Sequence, residues 1–218
     1  MIALFRYTLS TMLHSQRYLA PVLLFMGAVA VVSSNDSGPL APTYALCGAV
    51  LLICSTWLTI ALISVDDPVH RAITVVNAGR SYNVLLAAVA VAFASSLVLT
   101  AFGLVLPLLV GSHGLTADDM LLGLEAHLTC ACAGIAVGLI CSRLVIRRQG
   151  YALVVAIGLV AAILLVPGLP PVHVLFQRMA NVQRAADLVV SAAGYTVMGI
   201  ALLVVSAIAT QFVTTRRD

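Results

Sequence analysis

The chain has 218 residues, of which 62% are hydrophobic and 9% charged, with a formal net charge of +3. Such a balance cannot clothe a globule in polar surface, which excludes a soluble enzyme or binding module and makes the bilayer the solvent. The apolar residues fall in six blocks, Tyr18–Ser33, Thr43–Ser64, Ser81–Val110, Met120–Ser142, Tyr151–Val166 and Leu188–Phe212. Each is close to the ~20 residues a helix needs to cross hydrocarbon. None shows the alternation of barrel strands, and backbone groups in hydrocarbon must be satisfied within their own segment. The predicted class is therefore all-α, a polytopic protein with six transmembrane helices in a single domain, residues 1–218.

Before the first block, residues 1–17 form an amphipathic pattern. On a helical wheel Ile2, Phe5, Leu9, Met12 and Leu13 share one arc, and Arg6, Ser10, His14 and Arg17 the neighbouring one. The expectation is a helix lying on the cytoplasmic membrane surface, its apolar face in the headgroup boundary and its arginines toward anionic lipid or an acidic partner. The alternative is a lipid-anchoring flank with no partner. The first block is short and ends in Val-Val-Ser-Ser, as a signal peptide would, but cleavage there would leave five spans, and a retained span is the expectation. All eleven basic residues are Arg. Arg6, Arg17, Arg71, Arg80, Arg143, Arg147, Arg148, Arg216 and Arg217 fall on one side of the six-span topology and only Arg178 and Arg184 on the other. This places both termini in the cytoplasm.

Between the second and third blocks runs Val65 to Arg80. Asp67 can cap a helix that begins at Pro68, and Gly79 can close it. A short helix joined directly to two spans moves only with them, so a partner gripping it could drive them; the other reading is an ordinary basic loop. On the fourth block Gly134 and Gly138 form a GxxxG step that suits close helix packing, within one chain or between two. Glu125 and His127 on the same block are the one ionisable pair inside a span, and they do not share a helix face. A structural or outer-vestibule role is the favoured reading, with a proton relay as its rival. Cys47, Cys54, Cys130, Cys132 and Cys141 all fall inside blocks and read as small hydrophobes, with no CxxC pair and no shared metal site expected. Pro167-Gly168-Leu169-Pro170-Pro171 stops the fifth block early. The following residues to Asp187 carry Leu175, Met179, Val182 and Ala186 at helical spacing, which predicts one or two short helices dipping into the outer leaflet as a re-entrant external segment, residues 167–187.

This layout resembles the membrane subunit of an ATP-binding-cassette exporter of the type-2 permease family. The resemblance covers the whole chain and rests on Phe5-Arg6-Tyr7 with the His14-to-Pro21 entry to the first span, on Asp66-Asp67-Pro68 to Gly79-Arg80-Ser81-Tyr82, and on Arg143-Leu144-Val145-Ile146-Arg147-Arg148. It implies a multi-pass protein of a bacterial plasma membrane that pairs with a second copy or a related permease chain and docks on a separate cytoplasmic ATPase. Residues 65–80 would be the coupling helix, with Asp66, Asp67, Pro68, His70, Arg71, Ile73 and Thr74 contacting that ATPase. Residues 1–17 would be the connecting helix, with Phe5, Arg6, Leu9, Leu13 and Arg17. The second span would line a cavity through Ser55, Thr56 and Thr59 beside an aliphatic wall, suiting an amphipathic, lipid-like or drug-like cargo. No cofactor is implied on this chain; ATP and magnesium would sit on the ATPase, since no GxxxxGK[ST] phosphate loop is present here. No nucleic acid is implied.

No HExxH or GxSxG motif, paired intramembrane aspartates or His cluster supports an intramembrane enzyme. A structural membrane subunit, or a secondary transporter or channel, is the alternative function; ion coupling is hard to place because midplane positions are almost uniformly aliphatic.

Overall fold

The computed structural model describes residues 2–34, 39–65, 74, 76–77, 79–110, 116–146, 148–181 and 185–216. Among them are eight helices: α1 (Ile2–Ser15), α2 (Leu19–Ser34), α3 (Leu40–Val65), α4 (Ser81–Val110), α5 (Ala117–Ile140), α6 (Gln149–Leu165), α7 (Val172–Asn181) and α8 (Ala186–Thr215). No strand occurs among the described residues. Four helices, α3, α4, α5 and α8, are long and apolar enough to cross a membrane; α1 and α2 qualify only as a pair, bent by 76°, and α6 is a shorter apolar helix. The chain is thus an all-α protein whose long apolar helices are consistent with a multi-pass membrane protein.

Several boundaries have a local cause. Thr116 caps α5 by accepting from the Asp119 amide, and the Asp119 carboxylate accepts from the Thr116 amide in return, a reciprocal capping box. Asp118 and Asp119 in that first turn also oppose the positive end of the helix dipole. Between α1 and α2 the chain turns at Gln16, a non-glycine residue with φ 55°. Gly79 and Gly168 hold left-handed backbone next to α4 and after α6, where a side chain would be strained.

Helix α5 is the hub. Of its most apolar window 72% is buried, against 17% for α8. Its small residues let backbones approach. A Cβ on Gly134 would strike the Ser55 side chain and lie 2.6 Å from the Leu52 carbonyl oxygen; one on Gly138 would lie 2.6 Å from Thr59 Cβ and 2.9 Å from the Thr56 carbonyl oxygen. Thr56 Oγ1 donates to the Gly134 carbonyl at 3.1 Å, crossing the seam. On another side of α5, Gly199 of α8 sits 3.3 Å, measured from an ideal Cβ, from the Thr129 carbonyl oxygen, and Thr129 and Thr196 share a hydroxyl bond at 3.1 Å. The GxxxG step therefore packs α5 on α3 within one chain, the first of its two readings.

Helix α1 departs from the expected surface helix. Met12 is 5% exposed in a cluster with Leu58 and Leu62 of α3, Leu85 and Val91 of α4 and Ile135 and Leu139 of α5, with Phe5 and Leu9 packed against it. Phe5, Leu9 and Met12 of the predicted apolar arc thus face protein, while Ile2 and Leu13 stay exposed. The flank that α1 covers belongs mainly to the 30-residue α4, ~45 Å long.

Replacing Gly134 with Ala should lower stability by ~1–3 kcal/mol through overpacking, read as a lower thermal midpoint in detergent. Gly194→Ala, where nothing lies within 4 Å of an added Cβ, should leave it unchanged.

Candidate functional site

Arg17, from the expected connecting helix, and Arg143, from the basic segment after the fourth block, meet at the C-terminal end of α3. The last carbonyls of a helix lack intrahelical donors and carry partial negative charge. Ser64, one residue before the end of α3, receives two cations there. Arg17, in the turn between α1 and α2, donates from Nη1 to the Ser64 carbonyl at 3.2 Å and to its hydroxyl at 3.3 Å. Arg143, in the turn after α5, donates from Nη1 to the same carbonyl at 3.4 Å. Ser64 Oγ in turn donates to the Ala61 carbonyl at 2.8 Å. The N-terminal corner, the end of α3 and the turn leaving α5 are thereby tied at one oxygen. Beside this junction Met12, Ser15, Arg17 and Tyr18 lie against Leu58, Ala61, Leu62 and Val65 and leave no room for a water molecule between them.

The chain continues from Val65 into the segment expected to be the coupling helix. Asp66, Asp67, Pro68, His70, Arg71 and Ile73 lie outside the described residues, and Thr74 is helical. Of the connecting-helix candidates, Phe5 and Leu9 face the cluster around Met12, Arg6 and Leu13 are exposed, and Arg17 reaches Ser64. Gln211 Nε2 of α8 donates to Ser81 Oγ of α4 at 2.7 Å, a further tie between helix ends.

Ser55, Thr56 and Thr59 were expected to line a path. They are instead buried at 0%, 4% and 1% exposure in the seam with α5, and each hydroxyl is taken by an α3 carbonyl three or four residues earlier.

Glu125 and His127 separate as their spacing requires. His127 is fully buried, its Nδ1 2.7 Å from the Gly123 carbonyl, to which it donates, and its ring lies edge-on to Tyr44 with centroids 6.1 Å apart. Among the described residues Nε2 has no partner, and it faces Gly103: a Cβ there would lie 2.7 Å from it. The Tyr44 hydroxyl donates to the Leu104 carbonyl at 3.4 Å. Glu125 is half-buried and its Oε2 has no partner among the described residues, while its backbone carbonyl accepts from Thr129 and Thr196. No hydrogen bond joins the two side chains among the described residues.

At the opposite end α7 lies across the bundle. Val172, Leu175 and Met179 are fully buried against α3, α5, α6 and α8, while Arg178 stacks over the Tyr195 ring at 5.7 Å. The expected helical spacing of Leu175 and Met179 is this buried face. Ser64, Gly103 and the pairing of Arg143 with α3 carried no sequence signal, since each matters through a residue distant in the chain. No group of three or more metal-ligating side chains exists among the described residues. No family model, curated protein or solved structure matches this chain.

The Gly103 contact yields a double-mutant test. Gly103→Ala should destabilise by ~1–3 kcal/mol, because imidazole and methyl compete for one space. The same substitution in a His127→Ala background should cost much less, and thermal unfolding of the four proteins reads the difference.

Proposed function

We propose that this chain is the permease half of an ATP-binding-cassette exporter, driven by ATP hydrolysis on a separate cytoplasmic subunit. The observation that carries the reading is the junction at Ser64. A permease lacking its own phosphate loop must receive force from outside, at a segment rigidly continuous with the spans. Residues 65–80 follow directly on a 26-residue helix, and Arg17 ties the N-terminal helix to that helix's last turn. Connecting helix and coupling segment would then move together, and the α3–α5 seam would pass the motion into the bundle.

In this reading the chain crosses the bilayer six times, with both termini cytoplasmic as the arginine distribution implies. Helices α2 and α6, of 16 and 17 residues, are ~24–26 Å long and a few ångströms short of the hydrocarbon thickness. The α1 corner and the transverse α7 would cover the shortfall. Helix α7 would be the external lid. A second copy or a related chain would complete the transporter, and ATP and magnesium would reside on the ATPase. An amphipathic or lipid-like cargo is kept as the proposed class, resting now on the aliphatic walls alone, because Ser55, Thr56 and Thr59 are engaged in the α3–α5 seam.

The test is whether this chain co-purifies with a soluble phosphate-loop ATPase expressed from the same host. Asp66→Lys with Asp67→Lys should reduce ATPase association and permease-stimulated ATP turnover by tenfold or more, an effect of about 1.4 kcal/mol or above. Unchanged association and turnover would reject the coupling role.

A further inference from the structure

We propose that the seam between α5 and α8, closed in this structure, parts to pass the polar group of an amphipathic cargo, a path that rests on the permease reading and lies within one chain. Two seams meet on α5, and they use their polar atoms differently. On the α3 side the hydroxyls of Ser55, Thr56 and Thr59 all donate to carbonyls, and a Cβ on Gly134 or Gly138 would clash with α3. On the α8 side Glu125 and Thr129 of α5 are followed toward the Arg-rich end by Ser206 and Thr210 of α8. These two lie two and three turns beyond Gly199, on the face that Gly199 turns to α5. Thr210 is 1% exposed, yet its Oγ1 has no partner among the described residues, and neither has Glu125 Oε2. The hydroxyls nearest Glu125, of Thr129 and Thr196, bond its backbone carbonyl instead of its carboxyl group. A buried polar atom left unpaired is unfavourable whatever its protonation state. Two of them along one seam favour a state in which water or a polar ligand reaches both.

The same seam is the one that opens with least loss of packing. A Cβ on Gly199 would stand 3.3 Å from the nearest atom of α5, in close contact but without the interlock of the α3 side. Helix α8 is 17% buried over its most apolar window, against 61% for α3, and packs mainly on α5. It can therefore tilt away while the α3–α5 seam stays intact. Because α8 lies at the edge of the bundle, a parted seam faces the bilayer along one side. A polar group can then move between the hydroxyls while its acyl or aromatic portion stays in lipid, which is how an amphipathic cargo differs from an ion or a sugar.

Two native cysteines on α5 supply the test. Cys132 faces α8, its Cβ 3.6 Å from an ideal Cβ on Gly199, whereas Cys130 faces α3, its Sγ 3.2 Å from an ideal Cβ on Gly48. Full-length variants that keep one of the two, with every other cysteine replaced by Ala, are placed in lipid vesicles and treated with a membrane-impermeant trimethylammonium thiosulfonate. Cys132 should be modified about tenfold faster than Cys130, because only its seam admits water. Equal rates, or a faster Cys130, would overturn the proposal. Should those variants fail to fold, a staple keeps the test decisive with one substitution. Gly199→Cys sets its Cβ 3.6 Å from that of Cys132, within disulfide reach, and diamide closes the bond. The stapled chain should bind the ATPase as before but lower permease-stimulated ATP turnover about fivefold, with recovery in dithiothreitol. Full turnover in the stapled chain rejects the path and leaves the permease reading standing. If the unmodified chain binds no ATPase, the permease reading falls, and the two labelling rates decide the opening of the seam by themselves.

Discussion

The structure depends on the close approach of α3 and α5 through Gly134 and Gly138. Two apolar helices in hydrocarbon gain no hydrophobic energy by meeting, since lipid tails are as apolar as their side chains. What holds them is dispersion at short range and hydrogen bonds across the seam, and both need backbones that can touch. The two glycines remove the side chains that would keep α5 off the Leu52 and Thr56 carbonyls. Thr56 then reaches across to the Gly134 carbonyl while still bonding its own helix at Leu52. Gly199 repeats the arrangement from α8, so both α3 and α8 approach α5 through small residues.

A seam of this kind makes α3 a stiff rod from its contact with α5 to its last turn. Ser64 lies beyond the glycines on that rod, and the turn leaving α5 returns to it through Arg143. One loop of structure thus closes on itself: α3, its glycine contact, α5, and the arginine that brings the end of α5 back to α3. Arg17 adds the N-terminal helix to the same point. Far from this junction, α7 buries Leu175 and Met179 against four helices at once. Short segments thus contact several long helices at both places, α1 and its turn near Ser64 and α7 through Leu175 and Met179.

How much of this was legible depends on whether a feature is local. The span from Ser81 to Val110 coincides in sequence and structure because its limits are set by where charge and turn residues begin. The start of α5 moved outward to Ala117 because Asp118 and Asp119, which ended the apolar block, are the residues a helix favours in its first turn. The arc of α1 was found but assigned to lipid, since an amphipathic pattern tells that a face is buried and not what buries it. Ser55, Thr56 and Thr59 were read as a polar lining for the same reason: small hydroxyls on an apolar helix mark a special face, and close packing uses them as readily as a cavity does. The contact of His127 with Gly103 joins α5 to α4 by shape alone, with no motif in either segment.

By itself the sequence determined the medium, the helical class and the approximate extent of each apolar helix, because hydrophobicity and length act within a segment and backbone groups in hydrocarbon have only their own helix to satisfy them. Tertiary structure decided which faces meet. A helix that is apolar all round carries no hydrophobic direction, so α3, α5 and α8 found their orientation through steric fit between glycines and opposing carbonyls. The meeting of Arg17 and Arg143 at Ser64 was decided in the same way, since it requires three chain segments to be in place before either guanidinium has a carbonyl to reach.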